Sequence, residues 1–375
     1  MEFSHKAFVK DYRLKKKKEK RWLTLAIIVL VFCFLLSLCF RTVIPGFIPK
    51  EAFINLWTEI KLLWSQIFGT EYYLDAWNIM KSHEFFSETI TRFVNSFFTV
   101  FSGMALGLAG AVYQQIYKNP IASPSTIGAT AGVTLGNMVV VTTVGSAVVT
   151  MATYRYAVCL GITLAITLIV VFVGKWMGFR TGAFSVVEML ILGSIISRMI
   201  TAYTTYRMYQ LSGDALIAYQ QVNLGINQSF TTTSMILFIA IILLTMIPIL
   251  KMRYRYNSLG FDQMEAKSLG VNLFSEQITA QILAALMVGA ACIQCGDVGL
   301  FALVIPHFVR YIVGADFRKL AVYSTVFGGI FLLIMRMISA LIFLGTDPMP
   351  INTIVSIIMV PIFCVLIALK RRGFD

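Results

Sequence analysis

GMALGLAGAVYQQIYKNPIASPSTIGATAG, residues 103–132, is the stretch whose reading decides the fold of this chain. Gly103, Gly107 and Gly110 place small residues on one flank of a helix, which lets a neighbouring backbone come close. Helix packing alone accounts for those glycines. The apolar run then breaks at Asn119-Pro120. Pro120 and Pro124 bracket a short non-helical turn before a second apolar run begins. Broken backbone at membrane depth is tolerated only beside protein or a water path. The stretch therefore reads as two membrane spans joined by a tight turn.

The composition around it agrees. Of 375 residues 58% are apolar and 13% charged, against about 25% charged in a soluble domain. The mean hydropathy is +0.79. A soluble globule of this size has nowhere to hide so much apolar surface, so lipid is the natural solvent. Apolar stretches of spanning length fall near 23–43, 93–116, 125–150, 154–178, 185–207, 229–250, 274–295, 298–314, 319–344 and 351–369. The expectation is an all-α polytopic membrane protein with about ten transmembrane helices. The eighth is short, which suits a tilted, broken or shielded helix.

Charge placement orients the bundle. Net charge is +13. Residues 1–22 form a basic tail containing Lys15, Lys16, Lys17 and Lys18, abutting the apolar run that starts at Leu23. This reads as a cytoplasmic anchor and a retained first span rather than a nucleic-acid-binding arm or a cleaved signal. With the N-terminus inside, the segments holding Lys118, Lys175, Arg180, Lys251, Arg253, Arg255, Lys267, Arg310, Arg318, Lys319 and Lys370 through Arg372 are cytoplasmic. Asp214, Asp297 and Asp347 fall outside, with most acids of the 42–91 loop. Both termini are then cytoplasmic and residues 23–375 form the transmembrane domain. Within 42–91, Phe53, Leu56, Trp57, Ile60, Trp64 and Ile67 recur at helical spacing, which predicts an amphipathic helix in the outer interface.

Cys33, Cys39, Cys159 and Cys364 lie in apolar runs, where cysteine packs as a small hydrophobe. Cys292 and Cys295 form a CxxC without the soluble βαβ setting of a redox motif, so membrane packing is its reading. Gly103, Gly110 and Pro120 share their spacing with Gly289, Gly296 and Pro306, a pattern compatible with an inverted repeat or with coincidence.

Catalytic signatures are missing. There is no GxxxxGK[ST] phosphate loop, no HExxH and no GxSxG. His5, His83 and His307 are scattered, so no metal site is expected. Any ATP chemistry must come from another chain, and this one is not expected to be an enzyme or to bind a cofactor.

Two further stretches carry information. The cytoplasmic loop 251–275 is amphipathic: Leu259, Met264 and Leu269 are apolar, Asp262, Glu265 and Lys267 polar, and Gly260 and Gly270 punctuate it. It reads as a docking helix for a cytoplasmic partner or as a plain surface helix. Residues 296–319 place Pro306 inside the eighth span, with His307 and Arg310 near its inner end. A lone histidine there reads as packed or hydrogen-bonded. Charged groups at membrane depth are costly and mark water-filled paths or helix contacts. Arg198 lies mid-span in the fifth helix, Arg336 in the ninth, and Glu188 starts the fifth. Arg198 is too far from either end to snorkel easily, which makes it a pathway candidate.

These three stretches, in order, resemble the FecCD family of importer permeases for iron-siderophores, haem and cobalamin. The first is similar to the pattern G-x-x-L-x-x-x-G-x-x-x-Q-x-x-x-x-N-P-L-A-x-P, through Gly103, Gly110, Gln114, Asn119, Pro120, Ala122 and Pro124. The second resembles the cytoplasmic L-G-x-x-x-A-x-x-L-G loop, with Ala266, Leu269 and Gly270. The third resembles G-x-I-G-F-x-G-L-x-x-P-H-x-x-R, with Gly296, Gly299, Leu303, Pro306, His307 and Arg310. The resemblance covers residues 90–370.

It implies a permease subunit of an ATP-binding-cassette importer, in the cytoplasmic membrane of a bacterium. The cargo it implies first is a ferric siderophore, with haem or cobalamin as alternatives. The implied partners are a second permease (identical or related), two cytoplasmic ATPase subunits that use ATP and magnesium, an external binding lipoprotein, and membrane lipid. Leu259, Gly260, Glu265, Ala266, Leu269 and Gly270 would belong to the ATPase-coupling helix. Asn119, Pro120, Ile121, Val186 and Val187 would belong to the inner gate. The chain departs from the family at Arg336 and Met337, where an acid is common, and at Pro348–Asn352. An ion-coupled secondary transporter is the rival. It needs paired intramembrane acids, and Glu188 stands alone as a candidate.

Overall fold

The computed structural model describes residues 2–38, 84–149, 151–181, 186–225, 232–260, 272–344 and 347–372. The expected interfacial helix within 42–91 and the coupling residues Glu265, Ala266, Leu269 and Gly270 lie outside them. Twelve α-helices are described: α1 Glu2–Ser37, α2 Glu84–Ile116, α3 Ala129–Val144, α4 Ala152–Thr181, α5 Val186–Met208, α6 Gly213–Leu224, α7 Thr232–Lys251, α8 Arg253–Tyr256, α9 Leu273–Cys295, α10 Phe301–Val313, α11 Phe317–Leu341 and α12 Ile351–Arg372. A two-residue antiparallel pair, Phe343–Leu344 with Asp347–Pro348, closes the turn before α12.

Seven of the described helical stretches are long and apolar enough to cross a membrane, and α10 and the apolar part of α12 are shorter apolar helices. The remaining expected span is α5. Its 23 residues are long enough at about 1.5 Å each, but Glu188, Arg198 and Arg207 dilute its apolar character.

Three features add to the sequence reading. The basic tail is itself helical and runs unbroken into the first span, because no glycine or proline interrupts residues 2–37. The second span starts at Glu84, so the last residues of the 42–91 loop are helical. Helix α6, between the fifth and sixth spans, was not anticipated. It follows Ser212 and ends at Gly225 in the left-handed region, φ 70°.

Helix α2 is the hub, packed against α9, α10 and α11. Gly103 and Gly107 meet Gly328 and Ser324 of α11 backbone to backbone; a Cβ on Gly103 would lie 2.8 Å from the Leu332 Cβ. Gly110 faces α10. Pro306 has no N–H, so the Ala302 carbonyl one turn earlier loses its helical donor, and Gly110 lets that carbonyl sit against α2. One turn on, buried Gln114 donates Nε2–H to the Leu303 carbonyl at 3.0 Å. The first and third sequence stretches therefore lock together. His307 is buried and makes edge contacts with Tyr311 (5.9 Å) and Phe363 (5.7 Å). Arg310 is half-buried near the end of α10. Cys292 and Cys295 are both free and buried in α9.

The matched glycine–proline spacing does not mark equivalent positions. Gly110 lies inside a helix while Gly296 is the φ 74° residue after α9, and Pro120 sits in a turn while Pro306 lies inside α10.

Candidate functional site

Helix α2 ends at Ile116, and Lys118 turns the chain with φ 45°. Asn119 then organises the turn: its Oδ1 accepts the Ile121 amide at 2.9 Å, and its carbonyl accepts the Ala122 amide at 3.1 Å. Pro120 cannot compete for either acceptor. Ile121 is left 61% exposed. The Pro124 carbonyl accepts the amides of Ile127 and Ala129, which carries the chain to Gly128 (φ 91°) and into α3.

This turn is fastened to α5. A Cβ on Gly193 would come within 2.7 Å of the Ile127 Cα, and Ser197 donates its hydroxyl to the carbonyls of Ser125 (3.2 Å) and Gly193 (2.8 Å). The opposite face of α5 is open. Ile191, Ile195, Met199, Tyr203 and Tyr206 are exposed along it, and Arg198 shares it. A cleft of about 330 Å³ lies between α3, α5 and the α9–α10 loop, and Arg198 and Asp297 are among the residues lining it. Val186 and Val187 start α5. Arg336 is half-buried in α11 and does not line this cleft.

At one end of the bundle the segment 252–260 seats on α2 and α11. Gln115 donates to the Asn257 carbonyl (3.3 Å), and Asn257 Oδ1 accepts the Phe317 amide (3.0 Å). Arg255 pairs with buried Glu276 at 2.5 Å. Gly260 lies against Gln115. Leu259 is 1% exposed, so it is a core residue here and not a surface knob. The same end gathers Lys118, Lys251, Arg253, Arg255, Arg318 and Lys319, as the charge reading of the loops requires. Arg318 holds the carboxyl of Asp316, the α11 N-cap, below the usual carboxylate range through its side-chain hydrogen bonds.

One buried centre escaped the sequence reading. Arg155, at the start of α4, donates to Asn137 Oδ1 (3.0 Å), the Val222 carbonyl (3.2 Å) and the Ile293 carbonyl (2.8 Å). Asn137 in turn donates to Asn223 Oδ1 at 3.0 Å. One guanidinium thus ties α3, α4, α6 and α9 together. The available signal was a lone arginine at the start of a span whose charge pattern placed it outside.

A bundle whose spans are broken at a proline turn, with a charged residue facing open space at mid-helix, has the build of a membrane transporter. The profile of the FecCD transport family matches residues 29–369, and the chain belongs to that family as a multi-pass protein of the cytoplasmic membrane. It is 29% identical over 192 residues to the iron-uptake system permease protein FeuB of Bacillus subtilis (strain 168), covering 51% of this chain and 55% of the relative. It is 27% identical over 210 residues to the hemin transport system permease protein HmuU of Yersinia pestis, covering 56% and 61%. The chain spans about half the length of the curated relatives it matches. A solved structure of a metal-chelate type ABC transporter in an inward-facing conformation superposes with a TM-score of 0.71 at 20% identity, over 93% of this chain and 99% of that one; at that identity the likeness is one of fold.

Proposed function

We propose that this chain is the membrane permease subunit of an ATP-driven importer for a ferric siderophore, working by alternating access. The observation that carries the reading is the family match across the bundle, joined to a proline turn that is fastened to a helix with an open face. A second permease, identical or related, would cover the open face of α5 and enclose the path. Two ATPase subunits would dock at the basic end, with both chain termini on that cytoplasmic side, and a loaded binding lipoprotein would dock at the other. The chain supplies no catalysis and holds no cofactor; ATP and magnesium act in the partner subunit.

The coupling route follows the contacts. Force arriving at residues 259–270 passes through Asn257 to Gln115 at the end of α2 and so to the Asn119 turn. Gly193 and Ser197 carry the movement to α5. Ile121, held outward by Asn119, would close the path by shape and dewetting. Haem is the alternative cargo supported by a relative's description, while cobalamin rests on the family resemblance alone. The test is uptake by proteoliposomes holding this permease, its ATPase and its binding protein. ATP-dependent entry of a ferric chelate, abolished by deletion of 260–269 with membrane insertion retained, supports the proposal. Uptake that survives the deletion or needs no ATP overturns it and favours an ion-coupled carrier. Ile121→Asp should leave the path leaky or dead; unchanged leak and uptake would remove Ile121 from the gate.

A further inference from the structure

We infer that the cleft between α3, α5 and the α9–α10 loop is a binding site for the carboxylate or other anionic oxygen arm of the transported chelate. The inference rests on the importer reading and narrows its substrate class. Arg198 carries the argument. It stands about 18 Å along α5 from Val186 and about 15 Å from Met208, which is mid-depth, where an arginine is kept only for a partner or a path. Among the described residues no hydrogen bond, ion pair or ring contact involves it, and it lines the cleft. Lipid headgroups do not reach that depth.

The opposite wall adds to the positive field. Helix α3 opens on the cleft at Thr130 and Ala131, and its N-cap is Gly128, with no side chain to satisfy the first turn. The Thr130 and Ala131 amides have no acceptor among the described residues, and such a terminus attracts anions. Asp297 also lines the cleft, but its carboxylate is engaged: Oδ1 accepts the Gly299 amide at 3.0 Å, and the Thr130 side chain hydrogen-bonds it. The hydroxyls of Ser194, Ser197, Thr201 and Thr134 donate to backbone carbonyls of their own helices. Their oxygens therefore face incoming hydroxyl or amide donors. An arginine, free amides and hydroxyl acceptors together suit an oxygen-rich acid that also carries hydroxyls. At about 330 Å³ the cleft is at the small end of ligand pockets; it takes one arm of a chelate rather than a whole macrocycle.

The test reads the cleft without transport. The full chain, with its native cysteines replaced and Ser194→Cys introduced, is placed in phosphatidylcholine nanodiscs. It is labelled with sulfonate-bearing and trimethylammonium-bearing methanethiosulfonates, each rate normalised to that of a free thiol. One turn from Arg198, an anion preference of about tenfold is expected. It should vanish in Arg198→Gln, persist in Arg198→Lys and grow in Asp297→Asn, and millimolar citrate should slow labelling only where position 198 is cationic. Equal rates for both reagents, or a preference that Arg198→Gln leaves intact, or citrate without effect, would each overturn the site. Loss of ATP-driven uptake with this labelling pattern intact would discard the importer reading and leave the anion site standing.

Discussion

Replacing Gly110 with alanine tests how the bundle is held together. The new Cβ would overlap the Ala302 carbonyl and lie 2.7 Å from its carbon. Restoring ordinary van der Waals distance to that oxygen requires α2 and α10 to part by about 1.5 Å. That movement stretches the 3.0 Å Gln114–Leu303 bond past the hydrogen-bond limit of roughly 3.5 Å. Overpacking costs about 1–3 kcal/mol, and the lost buried bond adds about 1 kcal/mol, so Gly110→Ala should destabilise by roughly 2–4 kcal/mol. The control is Gly161→Ala in α4, where a Cβ meets nothing within 4 Å and the relief of glycine's helix penalty gives a gain of up to about 1 kcal/mol. The assay is reversible denaturation of the purified protein in detergent, with a double-mutant cycle adding Gln114→Ala. Because both changes break the same contact, their effects should fall short of additivity by at least about 0.5 kcal/mol. A Gly110→Ala protein as stable as Gly161→Ala, or a strictly additive cycle, would refute this account of the α2–α10 contact.

Arg155→Leu leaves Asn137 and two carbonyls short of donors in a buried site, so a loss of about 3 kcal/mol or more is expected. Arg155→Lys should rescue little, because an ammonium cannot reproduce the fork; faster proteolysis at α6 would locate the damage. Gly128→Leu forces a branched side chain to φ 91° and should cost about 1–2 kcal/mol, read by the same denaturation assay. Asp316→Ala should cost about 1 kcal/mol by removing the α11 cap, while Asp316→Asn should cost less because it still accepts the Arg318 amide. Since Arg318 lowers the Asp316 carboxyl, the ionised cap contributes stability above the ordinary carboxylate pKa. That contribution is lost as pH falls through the lower folded value, and a pH titration of the Asp316→Ala difference should show it.

The spans and the Asn119–Pro124 break were legible because apolar run length and proline act locally. Helix α6 was not: at 12 residues it leaves no run long enough to announce a crossing, though Ser212 and Gly225 were usable caps. Leu259 shows what periodicity cannot do. Its apolar character was visible, but whether it met the core or a partner depended on where α2 and α11 ended. Arg155 was missed for a related reason, since its acceptors come from three other helices, two of them far away in sequence. Arg198 drew notice in the sequence because a charge deep in a span is costly enough to stand out alone.

Sidedness is the most direct test of the whole account. Single cysteines in place of Arg253 and Gly213, in a background without the native ones, would be probed in right-side-out vesicles with an impermeant maleimide. The account predicts immediate labelling at position 213 and labelling at 253 only after the membrane is opened. The reverse pattern would put the segment leading to residues 259–270 beyond the reach of any cytoplasmic ATPase and contradict it.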